Sequence, residues 1–229
     1  MTSILHIDAS ARPLTSVESP YGSHSRRLSA RFLSRWREAD SAKVIYRDVG
    51  QKPPSPVSAD WIRAAFTPPE LRMAWMADTL AESERLVDEL LGADVIVVGV
   101  PMYNFGPPAQ FKAWIDNIVR VGRTFGFDRS RSGEPYWPLL STAGKSLIIL
   151  SSRGDYGYSP GGRNASINSV EQSIASAFSY IGITDIHSIA VEYDEFADER
   201  LQLSIGEAET EVDALVEKLA AARRAKATA

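Results

Sequence analysis

The run Val95-Ile96-Val97-Val98-Gly99-Val100 constrains this chain more than any other feature, because six uncharged, mostly β-branched residues suit a strand buried on both faces. The run breaks into Pro101-Met102-Tyr103-Asn104-Phe105-Gly106, a turn carrying aromatic and amide side chains. Pro107 or Pro108 then fits the first turn of a helix, where a missing N–H is no loss. Phe111, Trp114, Ile115, Ile118 and Val119 follow at the spacing of a helix face laid on a sheet, in a helix that ends near Gly122. A buried strand that feeds a helix through such a loop puts the loop at the carboxyl edge of a parallel sheet, where open α/β folds bind ligands.

The residue types in that loop narrow the ligand. Tyr103 and Phe105 offer flat apolar surface, Asn104 offers a donor and an acceptor, and the backbone amides ahead of Pro107 are free to point outward. A flat heterocycle with hydrogen-bonding groups on its rim, such as an isoalloxazine ring, needs these groups. The same residues serve equally well as a plug for the sheet edge.

A first strand, Ile4-Leu5-His6-Ile7, runs into a long polar loop that reaches Ser23-His24-Ser25. Leu28, Phe32, Leu33 and Trp36 mark the helix that follows. Helix N-termini in this position bind phosphate. The G-x-G-x-x-G of a dinucleotide fold is absent, and Ser10, Ser23 and Ser25 supply hydroxyls suited to the terminal phosphate of a mononucleotide. Helix capping by Ser23 or Ser25 accounts for the same serines, and His24 lies between them.

Val44-Ile45-Tyr46 reads as strand two, Ser146-Leu147-Ile148-Ile149-Leu150 as strand four and residues 186–191 as strand five. Gly92 and Gly182 stand where C-cap glycines end helices. Residues 53–70 form a Pro- and Ser-rich crossing whose Trp61, Ile62 and Phe66 need a partner surface, on this chain or on a second subunit. Residues 124–140 are irregular and aromatic. Strand four ends in Ser151-Ser152-Arg153-Gly154-Asp155-Tyr156, a second carboxyl-end loop of small residues, and the Gly-, Tyr- and Ser-rich stretch after it suits a mobile cover over a substrate. One stripe from Leu201 to Leu219 makes the last helix, and residues 220–229 read as a frayed tail.

The run Pro101-Met102-Tyr103-Asn104-Phe105, with Gln110, Lys112 and Asp116 after it, resembles the flavin loop of the FMN-dependent NADH-azoreductases, which belong with the flavodoxin-like NAD(P)H:quinone oxidoreductases. The resemblance implies one flavodoxin-like α/β domain over residues 1–229, with five parallel strands in the order 2-1-3-4-5 and helices on both faces. It implies that Ser10, Ser23 and Ser25 hold the FMN phosphate, with His24 beside them, and that Pro101, Met102, Tyr103, Asn104 and Phe105 bear the ring. Ser152, Arg153, Gly154 and Asp155 resemble a Thr-Ser-Arg-Gly-Gly segment on the flavin's pyrimidine side, from which Asp155 departs. The resemblance makes Phe127 and Tyr180 substrate residues, with Tyr180 reaching the partner subunit of a homodimer, although a surface hairpin and a helix-flank tyrosine account for them as well. Tyr156, at the start of the Gly-, Tyr- and Ser-rich cover, is the third substrate candidate. If Asp155 lies against the pyrimidine ring, a carboxylate about 6 Å away opposes reduction by on the order of 3 kcal/mol, or roughly 60 mV for two electrons, whereas an Asp155 turned to solvent or capping a nearby turn has almost no effect.

The activity implied is a two-electron ping-pong cycle, in which NADH or NADPH reduces FMN and a quinone or azo compound takes the electrons. A flavodoxin-type electron carrier is the alternative, although carriers tend to be strongly acidic and the net charge here is only −4. A flavin-free α/β binding module is a third reading. The interspersed charge gives no sign of a nucleic-acid surface. The chain has no cysteine, which excludes disulfides, thiolate nucleophiles and cysteine-held metal. No histidine cluster has metal-ligand spacing. No apolar run approaches the ~20 residues of a membrane span, and the N-terminus lacks the pattern of a signal peptide, so a cytoplasmic protein is expected.

Overall fold

A computed structural model describes residues 1–14 and 22–227. The middle of the long loop after the first strand, residues 15–21, lies outside the described residues. In chain order the elements are β1 (Thr2–Asp8), α1 (His24–Ala39), β2 (Ala42–Asp48), α2 (Ala59–Phe66), α3 (Ala74–Gly92), β3 (Val95–Pro101), α4 (Ala109–Ile118), β4 (Phe125–Phe127), β5 (Tyr136–Pro138), β6 (Ser146–Ser152), α5 (Val170–Ile181), β7 (Asp185–Val191) and α6 (Glu199–Ala227). Five strands form one parallel sheet in the order β2-β1-β3-β6-β7. This is the expected 2-1-3-4-5 order, because β4 and β5 pair only with each other, as an antiparallel hairpin.

The period of two along a strand sorts the core into two layers. Ile96, Val98 and Val100 of β3 and Leu147 and Ile149 of β6 pack with α3, α4 and α5 on one face. Val95, Val97, Ile148 and Leu150 pack with α1 and α6 on the other. Every residue of β3 and β6 is buried, as the uncharged runs require. At the carboxyl end of β3, Gly99 is opposite Asp8 of β1, and a Cβ there would fall 2.4 Å from Asp8 Oδ1. The glycine therefore leaves room for a buried carboxylate.

Several expectations about boundaries are corrected. Helix α4 stops at Ile118 rather than near Gly122, because Thr124 accepts from the Arg120 amide at 2.8 Å and folds the chain into a tight loop. Gly92 closes α3, but the C-cap is Ala93 in extended backbone, whereas Gly182 is the left-handed cap expected of α5, at φ 101°. The crossing segment contains α2, whose Trp61 packs towards Leu80 and Met76 of α3 and leaves Ile62 and Phe66 exposed. The tail is helical through Ala227: Ala220 is fully buried, and Arg223 donates to the Asp94 carbonyl at 2.8 Å.

Candidate active site

The loop after β1 and the start of α1 bring the three predicted serines to one place, and all three are buried. Ser23 is the N-cap of α1, its hydroxyl accepting from the Arg26 amide at 3.3 Å. Ser25 faces it, with the two hydroxyl oxygens 3.1 Å apart. The Ser10 hydroxyl accepts from the Arg12 amide at 3.1 Å, which leaves its own proton for a further acceptor. The first turn of α1 carries no acidic side chain of its own to offset the partial positive charge of the helix end. Hydroxyls and backbone amides gathered at such an end have the chemistry to receive an anion.

The loop after β3 makes a tight turn. Tyr103 and Gly106 exchange backbone hydrogen bonds of 2.9 and 3.1 Å around Asn104 at φ 47° and Phe105 at φ 69°. Two consecutive left-handed residues define a type I′ turn, tolerated by asparagine and costly for phenylalanine. Strain of that kind collects at ligand sites. Here the Phe105 ring is left half exposed rather than buried as a plug of the sheet edge.

Four carboxyl-end loops close into a ring. The Ala11 amide donates to the Tyr103 hydroxyl at 3.2 Å, joining the serine loop to the aromatic turn. The Met102 amide donates to the Ser152 carbonyl at 2.8 Å, joining that turn to the loop after β6. The Asp194 amide donates to the Arg153 carbonyl at 3.1 Å, and the Asp194 carboxylate returns to the start, meeting His24 Nε2 at 3.1 Å and Arg12 at 3.3 Å. Burial pushes the Asp194 pKa up, but the hydrogen bond and charge of His24, with the charges of Arg12 and Arg27, more than offset this and hold it below its ordinary value.

Other predicted residues point elsewhere. The buried guanidinium of Arg153 is occupied by Glu171 and, at 2.9 Å, by Glu192, so only its backbone belongs to the loop edge. Gly154 accommodates the Glu195 side chain, which a Cβ would approach to 2.5 Å. Asp155 is not unpaired: Asn164 donates to its carboxylate at 3.1 Å, and Arg163 lies 3.4 Å away. Tyr156 stacks on Tyr193 at 4.8 Å with Phe196 at their edge, whereas Phe127 and Tyr180 belong to a separate group with Phe125 and Tyr136. The three substrate candidates thus fall in two clusters.

Two positions in the site were not foreseen, Arg26 and Asp194. Arg26 left a faint signal, a charge in register with Ser29 and Trp36 on the buried side of α1. Asp194 left none, because only tertiary contact brings it to His24. Two cavities, of about 790 Å³ between α5, β7 and α6 and about 520 Å³ beside Phe66 and Phe127, include none of the serines or the aromatic turn. Among the described residues no group of His, Cys, Asp or Glu could hold a metal ion, and no helix is long and apolar enough to cross a membrane.

A parallel sheet in this order, with its phosphate-type helix end and aromatic turn at one edge, defines the flavodoxin-like fold. The chain belongs to that family, whose model matches residues 2–215. Within it, the chain is 42% identical to the FMN-dependent NADH:quinone oxidoreductase 2 of Colwellia psychrerythraea, over 96% of this chain and 100% of that protein. It is 41% identical to the FMN-dependent NAD(P)H:quinone oxidoreductase 1 of Pseudomonas aeruginosa, over 90% of this chain and 98% of that one. Relatives of this identity and coverage place it in the group of FMN-dependent NADH:quinone oxidoreductases. An azoreductase structure from Bacillus anthracis shares the fold, with a TM-score of 0.81 at 23% identity over 95% of this chain and 100% of the other.

Proposed function

We propose that this chain is an FMN-dependent NAD(P)H oxidoreductase that reduces quinones and azo compounds by two electrons. The observation that carries the proposal is the closed ring of loops, which sets three buried serines at the α1 N-terminus beside a strained aromatic turn. Bound FMN would supply the hydride and electron chemistry. The hydroxyls of Ser10, Ser23 and Ser25 and the first amides of α1 suit its phosphate. Pro101, Met102, Tyr103, Asn104 and Phe105 suit the ring, and the left-handed turn presents the Asn104 and Phe105 amides outward. The backbone from Ser152 to Asp155 suits the pyrimidine side; the Arg153 amide is taken by the Val191 carbonyl at 2.9 Å, so the Gly154 and Asp155 amides would meet the negative charge. His24 serves indirectly, fixing the Asp194 loop against the serine loop. The relatives' names as oxidoreductases favour an enzyme over an electron carrier.

The chain is read as one domain acting in the cytoplasm as a homodimer. Phe66, Leu71, Met73, Tyr136 and Tyr180 are exposed apolar or aromatic groups on the α2–α3 and hairpin flank. Pairing of two copies there would let Tyr180 and Phe127 of one subunit complete the pocket beside Tyr156 of the other. A steady-state screen of NADH and NADPH against quinones and azo dyes tests the activity. Turnover with either donor and with either acceptor class is expected, and its absence in flavin-loaded protein rejects the assignment.

A further inference from the structure

Beneath the serine loop lies a buried polar cluster to which the proposed function gives no part. Arg26, 3% exposed, donates through one guanidinium nitrogen to the Ser10 carbonyl at 2.6 Å and to Asp48 Oδ1 at 2.6 Å. Its other terminal nitrogen donates to Asp48 Oδ2 at 2.8 Å and to the Tyr46 hydroxyl at 3.2 Å. Asp8 lies 3.5 Å from the same guanidinium and accepts from Ser29 at 2.7 Å and from Tyr46 at 3.1 Å. Two carboxylates therefore face one guanidinium, and its charge is spent inside the cluster rather than on an anion above it. What remains to Arg26 is geometry, a rigid fork that holds one backbone carbonyl.

That carbonyl is half of a clamped peptide. The Ser10–Ala11 peptide gives its oxygen to Arg26 and its N–H to the Tyr103 hydroxyl, at 3.2 Å. Its plane is thereby fixed between α1 and the aromatic turn. Gly50 closes the clamp from below: a Cβ there would lie 2.1 Å from the Ser10 oxygen and 2.9 Å from the guanidinium. The Gly50 amide donates to the Asp8 carbonyl at 3.1 Å, which keeps the glycine in place.

We infer that Arg26, braced by Asp48 and Gly50, is a positioning residue that sets the Ser10–Ala11 peptide, and with it the Ser10 hydroxyl, for the flavin phosphate. The inference rests on the FMN reading above. Arg26 touches no part of the ligand; it acts through Ser10.

The test compares two flavins that differ in the phosphate alone, with affinity read from quenching of flavin fluorescence by apoprotein. Arg26→Lys keeps the charge and loses the fork. Gly50→Ala keeps every charge and pushes the Ser10 carbonyl out of place. In each variant the FMN dissociation constant is expected to rise about ten-fold or more, the size of one hydrogen bond to a charged group, while riboflavin affinity stays within about two-fold. Full FMN affinity in Arg26→Lys would mean that charge, not placement, is what matters, and would overturn the inference. Equal losses for both flavins would reduce the cluster to general stability and overturn it too. Should Arg26→Lys not fold, Gly50→Ala decides by the same criterion. Wild-type protein that binds neither flavin overturns the FMN reading itself, and this inference with it.

Discussion

Two serines at the start of α1 look interchangeable in the sequence, yet the structure gives them different work. Ser23 is extended, at φ −104° and ψ 114°, and its hydroxyl caps the Arg26 amide. Ser25 is fully buried inside the first turn, and its hydroxyl meets Ser23 rather than a backbone amide. Losing a cap costs about 1 kcal/mol, which in a chain of this size lowers Tm by about 2–4 °C. Losing a hydroxyl that binds a phosphate oxygen costs about 1.5–3 kcal/mol of affinity, or roughly ten- to a hundred-fold in Kd. Ser25→Ala should therefore weaken FMN binding by that factor. Ser23→Ala should do the same and also lower the apoprotein Tm by the cap increment. Titration calorimetry with FMN and riboflavin, together with thermal melts of each apoprotein, separates the two effects. Riboflavin affinity should be nearly indifferent to both changes. Losses of equal size for the two flavins would show that the serines only build the helix end and would refute their role at the phosphate.

Asn104→Ala should lower the apoprotein Tm by about 2–4 °C, since a left-handed residue without glycine's or asparagine's tolerance costs about 1 kcal/mol; Asn104→Gly should leave it unchanged, and equal melts for the two would contradict the left-handed turn. Asp155→Gly should move the flavin midpoint potential by less than about 20 mV, because Arg163 is exposed and leaves with the carboxylate, so the change is that of a surface ion pair worth up to about 1 kcal/mol. A rise near the roughly 60 mV expected of an unpaired carboxylate would instead place Asp155 against the ring. Light scattering at micromolar concentration should give twice the mass of one chain, and a monomer with full turnover would remove the homodimer from the account.

The sheet was legible because its central strands β3 and β6 are uncharged, buried runs that end in a change of residue type. Val95-Ile96-Val97-Val98 fixed the central strand, and alternate side chains then had to serve both layers. The serine loop and the aromatic turn were legible as chemistry, because hydroxyls and aromatics at a carboxyl edge have few uses there. Their joining was not, since the Ala11–Tyr103 bond links residues 92 apart. The left-handed backbone of Phe105 runs against its own propensity, so no local pattern announces it. The setting of Asp155 stayed open in the sequence for a similar reason: Arg163 and Asn164, which bind its carboxylate, sit in a stretch read only as a mobile cover. The tail looked frayed because its last turns carry Arg and Lys. In the fold, Arg223 bonds the Asp94 carbonyl at the amino end of β3.

The most direct test of the account is an anaerobic titration of flavin-loaded protein, followed by visible absorbance. One equivalent of NADH or NADPH should bleach the bound flavin completely, and one equivalent of a quinone should then restore the full yellow band, with no protein partner present. Flavin that is bound but not bleached by either nicotinamide, or bleached flavin that the quinone does not reoxidise, would contradict the two-electron cycle proposed for this site.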